Sequence, residues 1–231
     1  MSGTQQPDDY AERLGAFGLG HEDLRAWQDT GLPEEAFDGW LTDRVARRPS
    51  GARARRVYGA EEVHDFARRA ILDALALQPG DRLLEIGCGG GLLLRDALGT
   101  GVQCAGLDHS PDMAGLAAER APGAVVLLAT AERLPFAADT FTAAAMSVVF
   151  FFFTEPLRVL RECHRVLRPR GRLAVFTTGP ELRGTPAAPE PLAARGRFHS
   201  DAELAALARQ AGLAEVKVHN DRGGQLLTAI T

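Results

Sequence analysis

From residue 80 onward, short apolar runs alternate with stretches whose apolar residues recur every three or four positions. Leu83–Gly87, Val102–Leu107, Val125–Ala129, Phe141–Val149 and Arg172–Thr177 have the length and content of buried strands. Leu92–Leu98, Leu157–Leu167, Asp201–Ala211 and the segment opened by Ser110-Pro-Asp-Met have helical spacing. Ser110 is a natural N-cap with proline at the first helical position, and Ser200 with Glu203 forms a capping box. Ala214–His219 and Leu226–Ile230, joined through Asp221-Arg-Gly-Gly, read as an antiparallel hairpin. This alternation predicts an α/β fold: a doubly wound, mostly parallel seven-stranded sheet with a C-terminal antiparallel hairpin strand.

The chain upstream has only helical spacing. Leu14, Phe17, Leu24 and Trp27, then Phe37, Trp40, Leu41 and Val45, mark amphipathic helices punctuated by Gly18, Gly20, Gly31 and Pro33. Arg48-Pro-Ser-Gly-Ala reads as a hinge, followed by a helix over Ala60–Leu77 with Val63, Phe66, Ala70, Leu72 and Leu75 on its apolar positions, stopped by Pro79-Gly80. The expected division is a helical extension over residues 1–56, acting as a substrate lid, and a catalytic domain over residues 57–231.

Composition narrows the function without naming it. The 231 residues are 45% hydrophobic and 24% charged, and no apolar run approaches the ~20 residues that span a bilayer. A net charge of −4 gives no dominant positive field for nucleic acid, although residues 44–69 hold eight arginines, read as a solvated face and linker. The acidic start MSGTQQPDDY lacks a secretory h-region, and Cys88, Cys104 and Cys163 are odd in number and widely spaced. A reducing, cytoplasmic setting is expected, and no metal site is.

Glu85-Ile-Gly87-Cys-Gly89-Gly-Gly91 stands between a predicted strand and a predicted helix, where open α/β sheets bind ligands. Leu92 occupies the position at which a dinucleotide fingerprint requires its third glycine, and no lysine follows as in a P-loop. Asp108, at the end of the next strand and 17 residues beyond Gly91, is placed to accept hydrogen bonds from two ribose hydroxyls.

Four ordered segments, LLEIGCGGG, GLDHSPDM, TAERLPFAADTF and LRECHRVLRPRGRLAVFT, resemble the successive motifs of class I, Rossmann-like S-adenosylmethionine-dependent methyltransferases, in their small-molecule, methyltransferase type 11-like branch. The resemblance covers about residues 60–220. It implies that Gly87, Cys88, Gly89 and Gly91 surround the methionine moiety, with Glu85 positioning that turn or reaching the amino group indirectly. Asp108 would hold the ribose, His109 and Met113 would border the adenine, Thr130, Ala131 and Glu132 would cap its edge, and Ser147 would lie beside the cofactor. The family more often has an acid or asparagine where Thr130 stands. Tyr58 is expected to close over the charged end of the cofactor, where an aromatic face also suits a sulfonium.

Methyl transfer from a sulfonium depends on alignment and water exclusion, so no covalent nucleophile is needed. A histidine pair common in the family falls, by register on Glu155-Pro, at Phe151 and Phe152. Phe150, Phe151, Phe152 and, from the lid, Trp27 are therefore the candidate substrate contacts, and His199 and His64 the candidate bases. The expected function is methyl transfer to the oxygen, nitrogen or carbon of a small, partly apolar metabolite in secondary metabolism. The alternatives are a non-methylating cyclisation or decarboxylation that uses the cofactor structurally, a cofactor-holding regulatory module, and an RNA methyltransferase. Nucleic acid and membrane are not expected as partners. Helical lids can exchange between subunits, which allows a homodimer.

Overall fold

The computed structural model describes residues 7–62 and 64–231. Val63, assigned above to a helical apolar position, lies outside them, as does the beginning of the acidic N-terminal stretch. The extension is built from α1 (Pro7–Ala16), α2 (His21–Gln28), α3 (Phe37–Thr42), a π-turn at 43–47 and α4 (Gly51–Tyr58). Its helices are too short to be stable alone. They close over a small core of their own, Leu14, Leu19, Trp27, Phe37, Leu41 and Val45, with Tyr10 edge-on to Phe37 at 4.7 Å.

The α/β part runs α5 (Asp65–Leu75), β1 (Arg82–Ile86), α6 (Leu92–Leu98), β2 (Gln103–Asp108), α7 (Pro111–Arg120), β3 (Val125–Leu128) and β4 (Phe141–Ser147). It continues through α8 (Pro156–Val166), β5 (Leu167–Thr178), α9 (Leu192–Arg195), α10 (Asp201–Gln210), β6 (Ala214–Asp221) and β7 (Gly224–Ile230). The sheet order is β3-β2-β1-β4-β5-β7-β6, and β7 is antiparallel to both neighbours while the other pairings are parallel. The expected doubly wound seven-stranded sheet is present. Arg222 and Gly223 both have positive φ, as a two-residue hairpin turn requires.

Side-chain alternation in the strands sorts the two cores. Leu84 and Ile86 of β1, with Ala144 and Met146 of β4, pack beneath α8 and α10. Leu83, Ala143 and Ala145 face α5, α6 and α7. Glu85 and Ser147 share the parity of this second face, which is why both side chains reach one crevice.

Three boundaries differ from the sequence reading. The helix expected from Ala60 begins at Asp65, because His64 takes a left-handed φ of 52° that breaks the helical path. β4 stops at Ser147, because Val148 has φ 56°. β5 starts at Leu167 rather than Arg172, bent at Arg170 (φ 64°) within the Arg-Pro-Arg-Gly segment.

Candidate functional site

The crevice lies at the carboxyl ends of β1, β2 and β4. The amides of Gly87 and Cys88 both donate to the carbonyl of Leu107, at 2.8 and 2.9 Å, tying the turn after β1 to the end of β2. Gly89 N donates to Asp108 Oδ2 at 2.9 Å and Ser110 N to Asp108 Oδ1 at 2.8 Å. Burial raises the Asp108 pKa despite these amides, which favour its charged form.

Each glycine has a different reason to be there. Gly87 has φ 69°, and a Cβ on it would stand 2.8 Å from Val149 Cγ2. Gly89 has φ 49° with nothing within 4 Å of a Cβ, so its missing side chain leaves open space on the crevice side. Gly91 lets α6 approach α7: its Cβ would lie 2.7 Å from Ala117 Cα, and it does not line the crevice. Its neighbour here is α7, whereas the resemblance expects the methionine moiety beside it. Gly90, passed over in the sequence, does line it.

Glu85 is 3% exposed, and its Oε2 has no hydrogen-bond partner. Burial first, and the neighbouring Asp108 charge second, push its carboxyl well above the usual range. Arg68, 8% exposed on the same wall, is paired with Asp65 and Asp96. Tyr58 donates its hydroxyl to the carbonyl of Val45 at 3.2 Å, and burial pushes its pKa up to about 12. Cys88, His109, Met113 and Ser147 complete the cofactor candidates that border the crevice. Thr130, Ala131 and Glu132 do not: Thr130 is exposed, Ala131 is packed into the core beneath α8, and the Glu132 carbonyl accepts from Arg158.

The three phenylalanines separate. Residues 150–152 form a 3-10 turn, which points consecutive side chains in different directions. Phe151 and Phe152 line the crevice with ring centroids 4.2 Å apart. Phe150 is fully buried among core residues and contacts Phe153 edge-on, whereas the sequence expects a substrate contact there. Trp27 belongs to the core of the extension and is likewise away from the crevice. His64 lines it, with a pKa lowered by burial, whereas His199 sits against Phe150 with a buried, unpartnered Nε2.

Sequence reading missed the outer wall: Ala46, Arg47 and Pro49 of the extension, Val148 and Val149 after β4, and Ala187 and Leu192 from the segment before α10. That segment is fastened by the amide of Arg197 donating to the Phe151 carbonyl at 2.6 Å and by Phe198 stacking on Phe151. A π-turn at Arg47 and positive φ at Val148 mark these places in the backbone but leave no trace in composition. All three cysteines are buried and free, and among the described residues no cluster could hold a metal ion.

Residues 84–175 match a methyltransferase domain family. The demethylmenaquinone methyltransferase of Beutenbergia cavernae is 37% identical over 115 residues, covering 49% of this chain and 48% of the relative. The chain thus spans about half the length of the curated relatives it matches. A possible histamine N-methyltransferase from Thermotoga maritima superposes with a TM-score of 0.59 at 27% identity, over 73% of this chain and 91% of that one. The [4+2]-cyclase SpnF shares the fold, with a TM-score of 0.62 at 22% identity over 72% and 81%. Over residues 84–175 and in its fold, the chain is thus similar to S-adenosylmethionine-dependent methyltransferases.

Proposed function

We propose that this protein transfers a methyl group from S-adenosylmethionine to a small, partly apolar metabolite at oxygen, nitrogen or carbon. The observation that carries the reading is the Gly89–Asp108 pair beside Glu85. A buried carboxylate ends one strand, an open glycine turn ends the next, and an unpartnered buried carboxyl oxygen lies between them. These residues fit the cofactor. Asp108 would accept from the ribose, Gly87 and Gly89 would give the methionine chain close passage, and Glu85 would serve its ammonium directly or through water. When bound, the cofactor supplies an electrophilic methyl on a sulfonium.

The remaining residues shape the acceptor side. Phe151, Phe152, Val149 and Leu192 give a dry apolar wall, which suits a flat acceptor such as the quinone ring named in the relatives. His64, which lines the crevice with a pKa lowered by burial, is the proposed base for a proton leaving the acceptor. The crevice is about 180 Å³, below the ~300–1,000 Å³ of ordinary ligand pockets. Its outer wall, residues 46–58 and 187–192, is the proposed lid through which cofactor and acceptor enter. The free cysteines support a cytoplasmic setting, and no described helix is long and apolar enough to cross a membrane.

The second reading, a non-methylating reaction on the same fold, is favoured by Phe151 and Phe152 standing where a polar pair is common and by the fold shared with a cyclase. Calorimetry with S-adenosylhomocysteine followed by an acceptor screen tests both. Release of S-adenosylhomocysteine with an acceptor supports methyl transfer. Cofactor binding with acceptor consumed and no such release moves the choice to the second reading. No binding by folded protein overturns both.

A further inference from the structure

The helix that follows Asp108 holds the extension at four points. Ser110 Oγ donates to the carbonyl of Pro49 at 2.5 Å, and the amide of Gly51 donates to Asp112 Oδ2 at 2.7 Å. Arg55 pairs with Glu119 at 2.6 Å on the surface. The fourth point is different, because it also reaches the glycine turn. Arg120 Nη1 donates to the carbonyls of Gly90 at 2.8 Å and Tyr58 at 3.2 Å, and Nη2 donates to the carbonyl of Gly59 at 2.7 Å.

Three carbonyl oxygens thus converge on one guanidinium, whose planar fork fixes the directions of its donors. Two come from the end of α4, where carbonyls have no partner within the helix and the dipole favours a cation. The third comes from a turn in which Gly87, Gly89 and Gly91 all have positive φ. The contact is close: a Cβ on Gly90 would lie 2.2 Å from the Tyr58 carbonyl oxygen and 3.0 Å from Arg120 Nη1. Glycine at 90 is needed for the extension to seat, not for a turn angle.

We propose that Arg120 is a positioning residue for cofactor binding: by clamping Gly90 to Tyr58 and Gly59, it makes the shape of the glycine turn and the docking of the extension one coupled equilibrium. The inference rests on the cofactor reading above. Coupling of this kind is reciprocal, so loosening the extension weakens the cofactor and binding the cofactor protects the extension.

The test is calorimetry with S-adenosylhomocysteine on the full chain, wild type against Arg120→Met, Arg120→Lys and Arg55→Ala, with hydrogen exchange on the same proteins. Arg120→Met is expected to raise Kd at least about tenfold, the scale of a lost charge-assisted hydrogen bond. Arg120→Lys should recover part of this, since an ammonium reaches some of the three carbonyls. Arg55→Ala cuts a surface pair between the same two helices and should stay within about twofold, as exposed pairs do. Exchange in Arg120→Met should quicken in Gly87–Leu93 and Gly51–Tyr58 together. An unchanged Kd in Arg120→Met, or an equal loss in Arg55→Ala, overturns the proposal. If Arg120→Met does not fold, Arg120→Lys decides: wild-type affinity and exchange overturn it. If folded wild type binds no S-adenosylhomocysteine, the cofactor reading fails and exchange decides alone. Joint quickening of the two segments then upholds the clamp, and quickening of one or neither overturns it.

Discussion

Gly89 and Asp108 hold each other in place: the glycine amide donates to the carboxylate at 2.9 Å, so the residue that ends β2 also sets the turn after β1. One side chain therefore shapes the site and is proposed to bind within it. In Asp108→Ala, the amides of Gly89 and Ser110 lose their acceptor along with the proposed ribose contact. The affinity for S-adenosylhomocysteine is expected to fall by about 1–3 kcal/mol, measured by calorimetry. Asp108→Asn, which keeps one acceptor oxygen, should lose less.

Gly87 and Gly89 separate fold from binding. Alanine at 87 combines a left-handed φ with a Cβ 2.8 Å from Val149, so it should lower stability by more than the ~1–2 kcal/mol of the backbone strain alone. Alanine at 89 meets no atom and should carry only that strain, while its methyl occupies the crevice. Denaturant melts and ligand titrations on the pair should show Gly87→Ala as the less stable and Gly89→Ala as the more impaired in binding relative to its stability loss.

Glu85 gives a pH dependence with a definite sign. Its native carboxyl titrates above the ordinary 4.5, mainly because it is buried. Above about 4.5 the unfolded chain has lost this proton while the native one keeps it, so the residue's contribution to stability falls as pH rises until the native carboxyl itself ionises. Glu85→Gln has no such slope. Its melting temperature minus that of wild type should be smallest near pH 4 and should grow as pH is raised through the window in which the unfolded carboxyl is ionised and the native one is not. Thermal melts in which the difference stays constant across that window would contradict the burial of a neutral carboxyl.

Val148 carries strain where β4 meets the crevice, since a β-branched residue at φ 56° is unfavourable by about 1–3 kcal/mol. Glycine relieves it and alanine does not, although both remove the same apolar contact. Val148→Gly should therefore be the more stable of the two in urea melts, reversing the usual advantage of alanine over glycine.

The strands and the glycine turn were legible because their causes are local. Apolar runs between turn residues marked β1 to β4, and Asp108 stood at a strand end whose position the pattern already implied. The placements that differ from the sequence reading have causes distant in sequence. Gly91 shares a motif with Gly87 and Gly89, which points it toward the ligand, yet its neighbour is Ala117 on another helix. Phe150 groups with Phe151 and Phe152 in a run that looks uniform, and only the 3-10 turn sends one ring into the core and two toward the crevice. Trp27 reads as an acceptor contact from its place in a helical extension, but three aromatic partners, Tyr10, Phe37 and Trp40, surround it. Arg47, Ala187 and Leu192 come from segments whose docking depends on the folded surface beneath them, so no periodicity announces them.

The place of β7 governs the order in which this molecule can form. β5, Leu167–Thr178, pairs on its outer side with Gly224–Ile230 and not with β6, although β6 precedes β7 in the chain. During synthesis β5 therefore emerges with one flank open, and β6 has no place in the sheet until the strand after it arrives. An exposed strand flank invites pairing with another chain, so this interval is when the nascent protein is most open to misassembly. The hairpin turn at Arg222-Gly223 holds β6 directly against β7, so the strand that closes the flank of β5 also fixes the place of β6.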